Sequence, residues 1–101
     1  MIHLLEPEAL KNLLKANQAI IIDVREQSEY NECHIDGSVL IPLATLTIVH
    51  VKDLANDGKK IVIHCRSGVR SLRACQMLME YDNELDVYNL EGGIIAWNAL
   101  K

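Results

Sequence analysis

Two short runs constrain this chain most. "AIIIDV" (19–24) and "KIVIHC" (60–65) are nearly uninterrupted stretches of apolar, mostly β-branched residues. β-Branched side chains fit the pleated surface of a strand. A run with no polar alternation has no side to offer to water, so each reads as a strand buried on both faces. A parallel sheet covered by helices meets that condition, and the rest of the chain supplies the covering. Pro7 between Glu6 and Glu8 suits a helix start, and Leu10, Leu13 and Leu14 continue it at helical spacing over 7–16. A short strand is expected at 2–4, and a polar helix over "EQSEYNEC". An Asp36-Gly37 turn leads to a strand at 38–41 that Pro42 ends. Beyond the second run, a helix is predicted over 70–81, with Leu72, Cys75, Leu78 and Met79 along one side. A strand "DVYNL" (86–90), a turn "EGG" and a closing helix "IIAWNAL" complete the chain. Residues 43–57 carry helical spacing in Leu43, Leu46 and Leu54, but Thr45, Thr47, Ile48, Val49 and Val51 lower helix propensity. A helix over about 44–56 is expected there, followed by a turn at Asn56-Asp57-Gly58. Strands alternating with helices define an α/β domain: a mostly parallel central sheet of about five strands with helices on both faces.

The 101 residues suit a single domain, 1–101, large enough to hold a core without a disulfide or metal staple. The net charge of −4 argues against a nucleic-acid footprint and against strong attraction to anionic membranes. No apolar run approaches the roughly 20 residues of a membrane span. The start, "MIHLLEPEALKNLLK", has no basic region followed by an apolar stretch and a cleavage site, and reads as mature protein. Cys33, Cys65 and Cys75 are odd in number and form no C-x-x-C, so a reducing, cytoplasmic location is expected.

Chemistry concentrates in "IVIHCRSGVRSLRAC" (61–75). In parallel sheets ligands bind beyond the carboxyl ends of the strands, and Cys65 stands at the end of the clearest one. The loop after it, Arg66, Ser67, Gly68, Val69 and Arg70, turns backbone N–H groups inward and is backed by a helix N-terminus, an arrangement that attracts negative charge. Gly68 allows the positive φ that the curvature needs. The thiol pKa falls at such a terminus and beside arginine. Cys65 is therefore expected to be an anionic nucleophile, although a lone cysteine at a strand end would be read as packing.

The segment "HCRSGVRS" resembles the active-site loop of rhodanese-type sulfurtransferases. "IIDVREQSEYNECHIDGSVLIP" is similar to that family's segment with Asp-x-Arg, a Glu-aromatic pair and a His-Ile-x-Gly turn before proline. "VYNLEGGIIAWNAL" is similar to its closing Gly-Gly and Trp segment. Tyrosine and dual-specificity phosphatases use a cysteine-to-arginine loop one residue longer. Four residues separate Cys65 from Arg70. The shorter loop suits a persulfide, with one extra sulfur about 2.05 Å from the first, better than a phosphoryl group with three oxygens. The chain departs from the family pattern at Cys33, where glycine is usual, and at Asp82-Asn83, where a glycine usually follows the helix.

The resemblance implies ping-pong sulfur transfer from thiosulfate or a similar donor through a Cys65 persulfide, with cyanide, a thiol or a protein thiol as acceptor. Cys65 and Arg70 are then the catalytic residues. Arg66, Ser67, Gly68, Val69 and Ser71 form the substrate-binding loop, in which Arg66 recruits the anionic donor, Arg70 braces the loop or shares that task, and Ser71 lies near the helix start. No metal or organic cofactor is implied, and neither nucleic acid nor membrane is an expected partner. Alternatives are a small cysteine phosphatase or arsenate reductase, or a sulfur-relay module serving one protein.

Asp23, Arg25 and Glu29 read as structural near the site, with Arg25 paired to Glu29 or Asp23. His64 and Cys65 point to opposite faces of a strand and cannot easily share a metal ion, so His64 reads as a core residue. His34 reads as fixing its turn. Cys75 falls on the apolar side of its helix, and Cys33 holds a loop position from which a redox role is conceivable. Arg73 extends the basic mouth or is simply solvated.

Overall fold

The computed structural model describes residues 1–55 and 58–100. The expected turn at Asn56-Asp57-Gly58 lies partly outside them. Among the described residues five strands alternate with five helices: β1 (Ile2–Leu5), α1 (Pro7–Lys15), β2 (Ala19–Asp23), α2 (Gln27–Glu32), β3 (Val39–Leu40), α3 (Ile48–Leu54), β4 (Lys60–His64), α4 (Val69–Tyr81), β5 (Val87–Leu90) and α5 (Gly93–Asn98). The sheet order is β1-β5-β4-β2-β3, and every pair is parallel. The two apolar runs become β2 and β4, side by side in the interior, with Ile20 opposite Ile61 and Ile22 opposite Ile63.

Strand alternation divides the core in two. Ile22, Ile61, Ile63 and Cys65 face the layer that α3 and α4 cover through Val51, Ala74, Cys75 and Leu78. Ile21 and Val62 face the other layer, closed by Leu10 of α1 and Ile94 of α5. β2 and β4 are thus buried on both sides, which is why neither run needs a polar face.

Four local expectations change. The helix expected from 44 begins at Ile48. Thr45 and Leu46 bond back to the Pro42 carbonyl, and Thr47 caps the helix in a reciprocal pair with His50. Threonines that bond the local backbone favour turns and caps over helix interiors. On α4 the buried side is Ser71, Ala74, Cys75 and Leu78, whereas Leu72 is exposed, so the buried stripe runs through Ser71 and Ala74 rather than Leu72. Cys33 is extended, with φ −162°, and carries no strain where a glycine was the expected residue. Asp82 ends α4 in an extended conformation, so no left-handed residue is needed at that position.

Leu78 is wholly buried between α4 and the sheet. Leu78→Ala should cost about 2–5 kcal/mol through lost burial and a residual cavity, read as a lower urea midpoint at unchanged slope.

Candidate active site

The chain leaves β4 at His64 and enters α4 at Val69, so Cys65 to Gly68 form a tight loop at the carboxyl edge, in the middle of the sheet. The loop after β2 leads off toward β3 and the loop after β4 toward β5, and the crevice between them is where ligands reach such sheets. Gly68 has φ +108° and caps α4.

α5 sets the direction of the loop's peptide groups. The Ile94 N–H donates to the Cys65 carbonyl at 2.9 Å, and the Ile95 N–H to the Arg66 carbonyl at 3.2 Å. With these carbonyls drawn toward α5, N–H groups further along face the sulfur: Gly68 N–H lies 3.1 Å and Ser71 N–H 3.4 Å from Cys65 Sγ. Ser71 Oγ is 3.4 Å from the same sulfur and donates to Asn89 Oδ1, while Asn89 Nδ2 donates to the Gly68 carbonyl at 3.3 Å. Ser71 is therefore a loop-lining residue in the first turn of α4, and the cap is Gly68. Asn89 was missed at the sequence level. A lone amide inside "VYNL" was its signal, since a buried amide requires partners.

Cys65 is 1% exposed, and burial pushes its pKa up. The Ser71 side chain beside the sulfur and the N–H groups of Ser71, Gly68 and Ser67 more than offset this, and the thiol lies below its ordinary value. Cys75, ten residues on, is offset only by its own backbone N–H, and burial raises it to about 12. The two thiols of "HCRSGVRSLRAC" are thus opposite in character: one is stabilised as an anion, the other is an apolar core residue.

The arginines separate as clearly. Arg70 makes a two-pronged contact with Glu29, Nη1 to Oε1 at 2.7 Å and Nη2 to Oε2 at 2.9 Å, which ties α4 to α2 across the crevice. Glu29 also accepts the Glu26 N–H that begins its own helix. The Arg70 hydrogen bonds are the main cause holding the Glu29 carboxyl down at about 2. Arg25 is buried and bonds both oxygens of Asp23, then donates to the Cys33 carbonyl at 2.8 Å. Of the two partners expected for Arg25, Asp23 is the one it takes. Arg66 forms no ion pair among the described residues and borders a cleft of about 300 Å³, shared with Arg25, Glu29, Cys33, Ile94 and Ile95. Cys65 does not line this cleft, which adjoins the loop through Arg66. Ser67 and Val69 are exposed at the rim, and Cys33 is an exposed thiol in the cleft.

A buried cysteine surrounded by N–H donors, at the carboxyl edge of a parallel sheet, is an arrangement that favours a thiolate. Comparison with known proteins narrows the class. The rhodanese-like domain family matches residues 6–100, and the chain belongs to that family. It is 33% identical to a sulfurtransferase of Allochromatium vinosum, over 96% of this chain and 89% of that protein. It is also 33% identical to the thiosulfate sulfurtransferase GlpE of Shewanella oneidensis, over 88% and 85%. A rhodanese-like domain protein from Staphylococcus aureus superposes with a TM-score of 0.76 at 32% identity, over 94% of this chain and 90% of that one. Longer relatives contain the same unit: a tRNA uridine(34) hydroxylase of Sodalis glossinidius is 36% identical over 94% of this chain but only 28% of its own length. Sulfur transfer is the chemistry this kinship supports.

Gly93 shows how tightly α5 and the loop are matched. Its φ is +60°, and an added Cβ would lie 2.4 Å from the Arg66 carbonyl oxygen and 2.5 Å from that of Cys65. Gly93→Ala should lose more than about 1 kcal/mol of stability and slow alkylation of Cys65, since the loop must shift to admit the methyl group. Glu29 offers a second check. Its contribution to stability is complete above its ordinary pKa of 4.5 and disappears as pH falls through about 2. The urea-unfolding difference between the native chain and Glu29→Gln should therefore narrow below pH 4.5; a difference that stayed constant to pH 2 would contradict the pairing.

Proposed function

We propose that the protein is a thiosulfate sulfurtransferase working through a Cys65 persulfide. The observation that carries this reading is the N–H cradle around Cys65 Sγ, formed in a loop with four residues between Cys65 and Arg70. The thiolate attacks the outer sulfur of thiosulfate; an S–S bond forms to Cys65, the sulfur–sulfur bond of the donor breaks, and sulfite leaves with the electron pair. An acceptor nucleophile, cyanide, a small thiol or a protein thiol, then attacks the terminal sulfur and returns Cys65 as thiolate. Inward N–H groups stabilise the anionic terminal sulfur as an oxyanion hole stabilises oxygen. Arg66, exposed beside the cleft, recruits the anionic donor. Arg70 acts as brace, because its guanidinium is committed to Glu29. Asp23 and Arg25 hold the second wall of the crevice through the Cys33 carbonyl. The covalent persulfide makes a metal or organic cofactor unnecessary, and the reducing cytoplasm suits the free thiols.

Intact mass after thiosulfate treatment should rise by one sulfur, localised to Cys65 and removed by cyanide. Cys65→Ser should remain folded and lose thiosulfate:cyanide transfer entirely. Unchanged turnover in that variant, or sulfur found only on Cys33 or Cys75, would refute the assignment. Hydrolysis of an aryl phosphate without sulfur loading would favour the phosphatase class. Fast discharge to one protein with slow discharge to small thiols would favour a relay.

A further inference from the structure

His64 is the residue the mechanism has left unused, and it is anomalous. Its side chain is 0% exposed in a strand that is otherwise apolar from Ile61 to Ile63. An aliphatic residue would fill that position without burying two polar nitrogens. The nitrogens face unequal surroundings. Nδ1 is 3.2 Å from the Cys65 carbonyl oxygen, within hydrogen-bond range. Nε2 lies 3.5 Å from Asp23 Oδ2 and has no hydrogen-bond partner. Asp23 sits opposite His64 across the β2–β4 ladder, and both its oxygens are already taken by Arg25. Asp23, and Arg25 behind it, are the charged groups facing the imidazole; by strand alternation His64 shares the face of Val62, which looks to the layer closed by α1 and α5. Burial is the main cause that depresses the His64 pKa, so the ring is neutral and carries one proton. One proton satisfies one acceptor, and the shorter, aligned contact is with the Cys65 carbonyl.

That carbonyl is the one that also accepts the Ile94 N–H. We propose that His64 is a positioning residue: its Nδ1–H and the Ile94 N–H together clamp the Cys65–Arg66 peptide group, and this clamp aims the loop's N–H donors at the sulfur. Nε2 keeps a bare lone pair as the cost of holding this tautomer. His64 works from the face of the sheet opposite the sulfur, so it touches neither donor nor acceptor. It thus differs from a catalytic base, for which its geometry is wrong. The kinetic part of this inference rests on the sulfur-transfer reading; the structural part does not.

The test compares His64→Leu, which removes the donor, with His64→Asn, whose amide N–H can occupy the place of Nδ1–H. The pH profile of Cys65 alkylation by iodoacetamide reads the thiolate without requiring any turnover. In His64→Leu its midpoint should move up by as much as about one pH unit, and kcat for thiosulfate:cyanide transfer should fall roughly two- to tenfold, the worth of one hydrogen bond. KM for thiosulfate should hold, because Arg66 is untouched. His64→Asn should recover most of both losses. ¹⁵N NMR of the native protein should show a protonated Nδ1 and a bare Nε2. A protonated Nε2 with bare Nδ1, unchanged midpoints in both variants, or an Asn variant no better than Leu would each overturn the proposal. If the native protein moved no sulfur, yet the midpoint shifted in Leu and recovered in Asn, the functional reading would fall and the positioning role would stand.

Discussion

Two hydrogen bonds from the first turn of α5 to the carbonyls of Cys65 and Arg66 govern the site. A peptide group points its N–H and C=O in opposite directions, so drawing these carbonyls toward the last helix commits the loop to present its donors to the sulfur. Everything else supports that commitment. β4 brings Cys65 to the sheet edge, and Gly93, having no side chain, lets α5 approach the loop backbone. Gly68 provides the left-handed turn into α4. A thiol pulled into the protein would ordinarily become harder to ionise; the donors around the sulfur reverse that.

The crevice has two walls, each stiffened by an ion pair that is shielded to a different degree. Asp23–Arg25 is fully buried, and it extends to the Cys33 carbonyl. Arg70–Glu29 is about one-third exposed and joins α4 to α2. A buried pair such as Asp23–Arg25 is by itself weak evidence of net stability. Here the geometry is what the site needs: with Arg25 and Arg70 held by carboxylates, Arg66 is left without an ion-pair partner among the described residues, beside the cleft.

Much of this was legible in the residues. The nearly uninterrupted apolar, β-branched runs at 19–24 and 60–65 suit strands buried on both faces, and helical spacing elsewhere supplies the cover. The cysteine, glycine and arginines after the second run announce an anion-holding loop, because each residue type there has a local physical meaning. Less legible was 43–57, where threonine side chains compete with the helix for the backbone. The exposed position of Leu72 was hidden too, since helical periodicity gives a stripe but not the rotation at which the helix docks.

Local chemistry written in the chain thus accounts for the fold class, the place of Cys65 at a strand end, and the contrast between it and Cys75. Long-range pairings account for the rest: Arg70 with Glu29 and Ser71 with Asn89 across 41 and 18 residues, and α5 seated on a loop nearly thirty residues before it. Spacing along a chain reports which side chains share a face. It does not report which of several arginines meets which carboxylate, or which carbonyl a distant helix will hold. Those choices depend on distances that exist only once the sheet has formed and its two layers have packed.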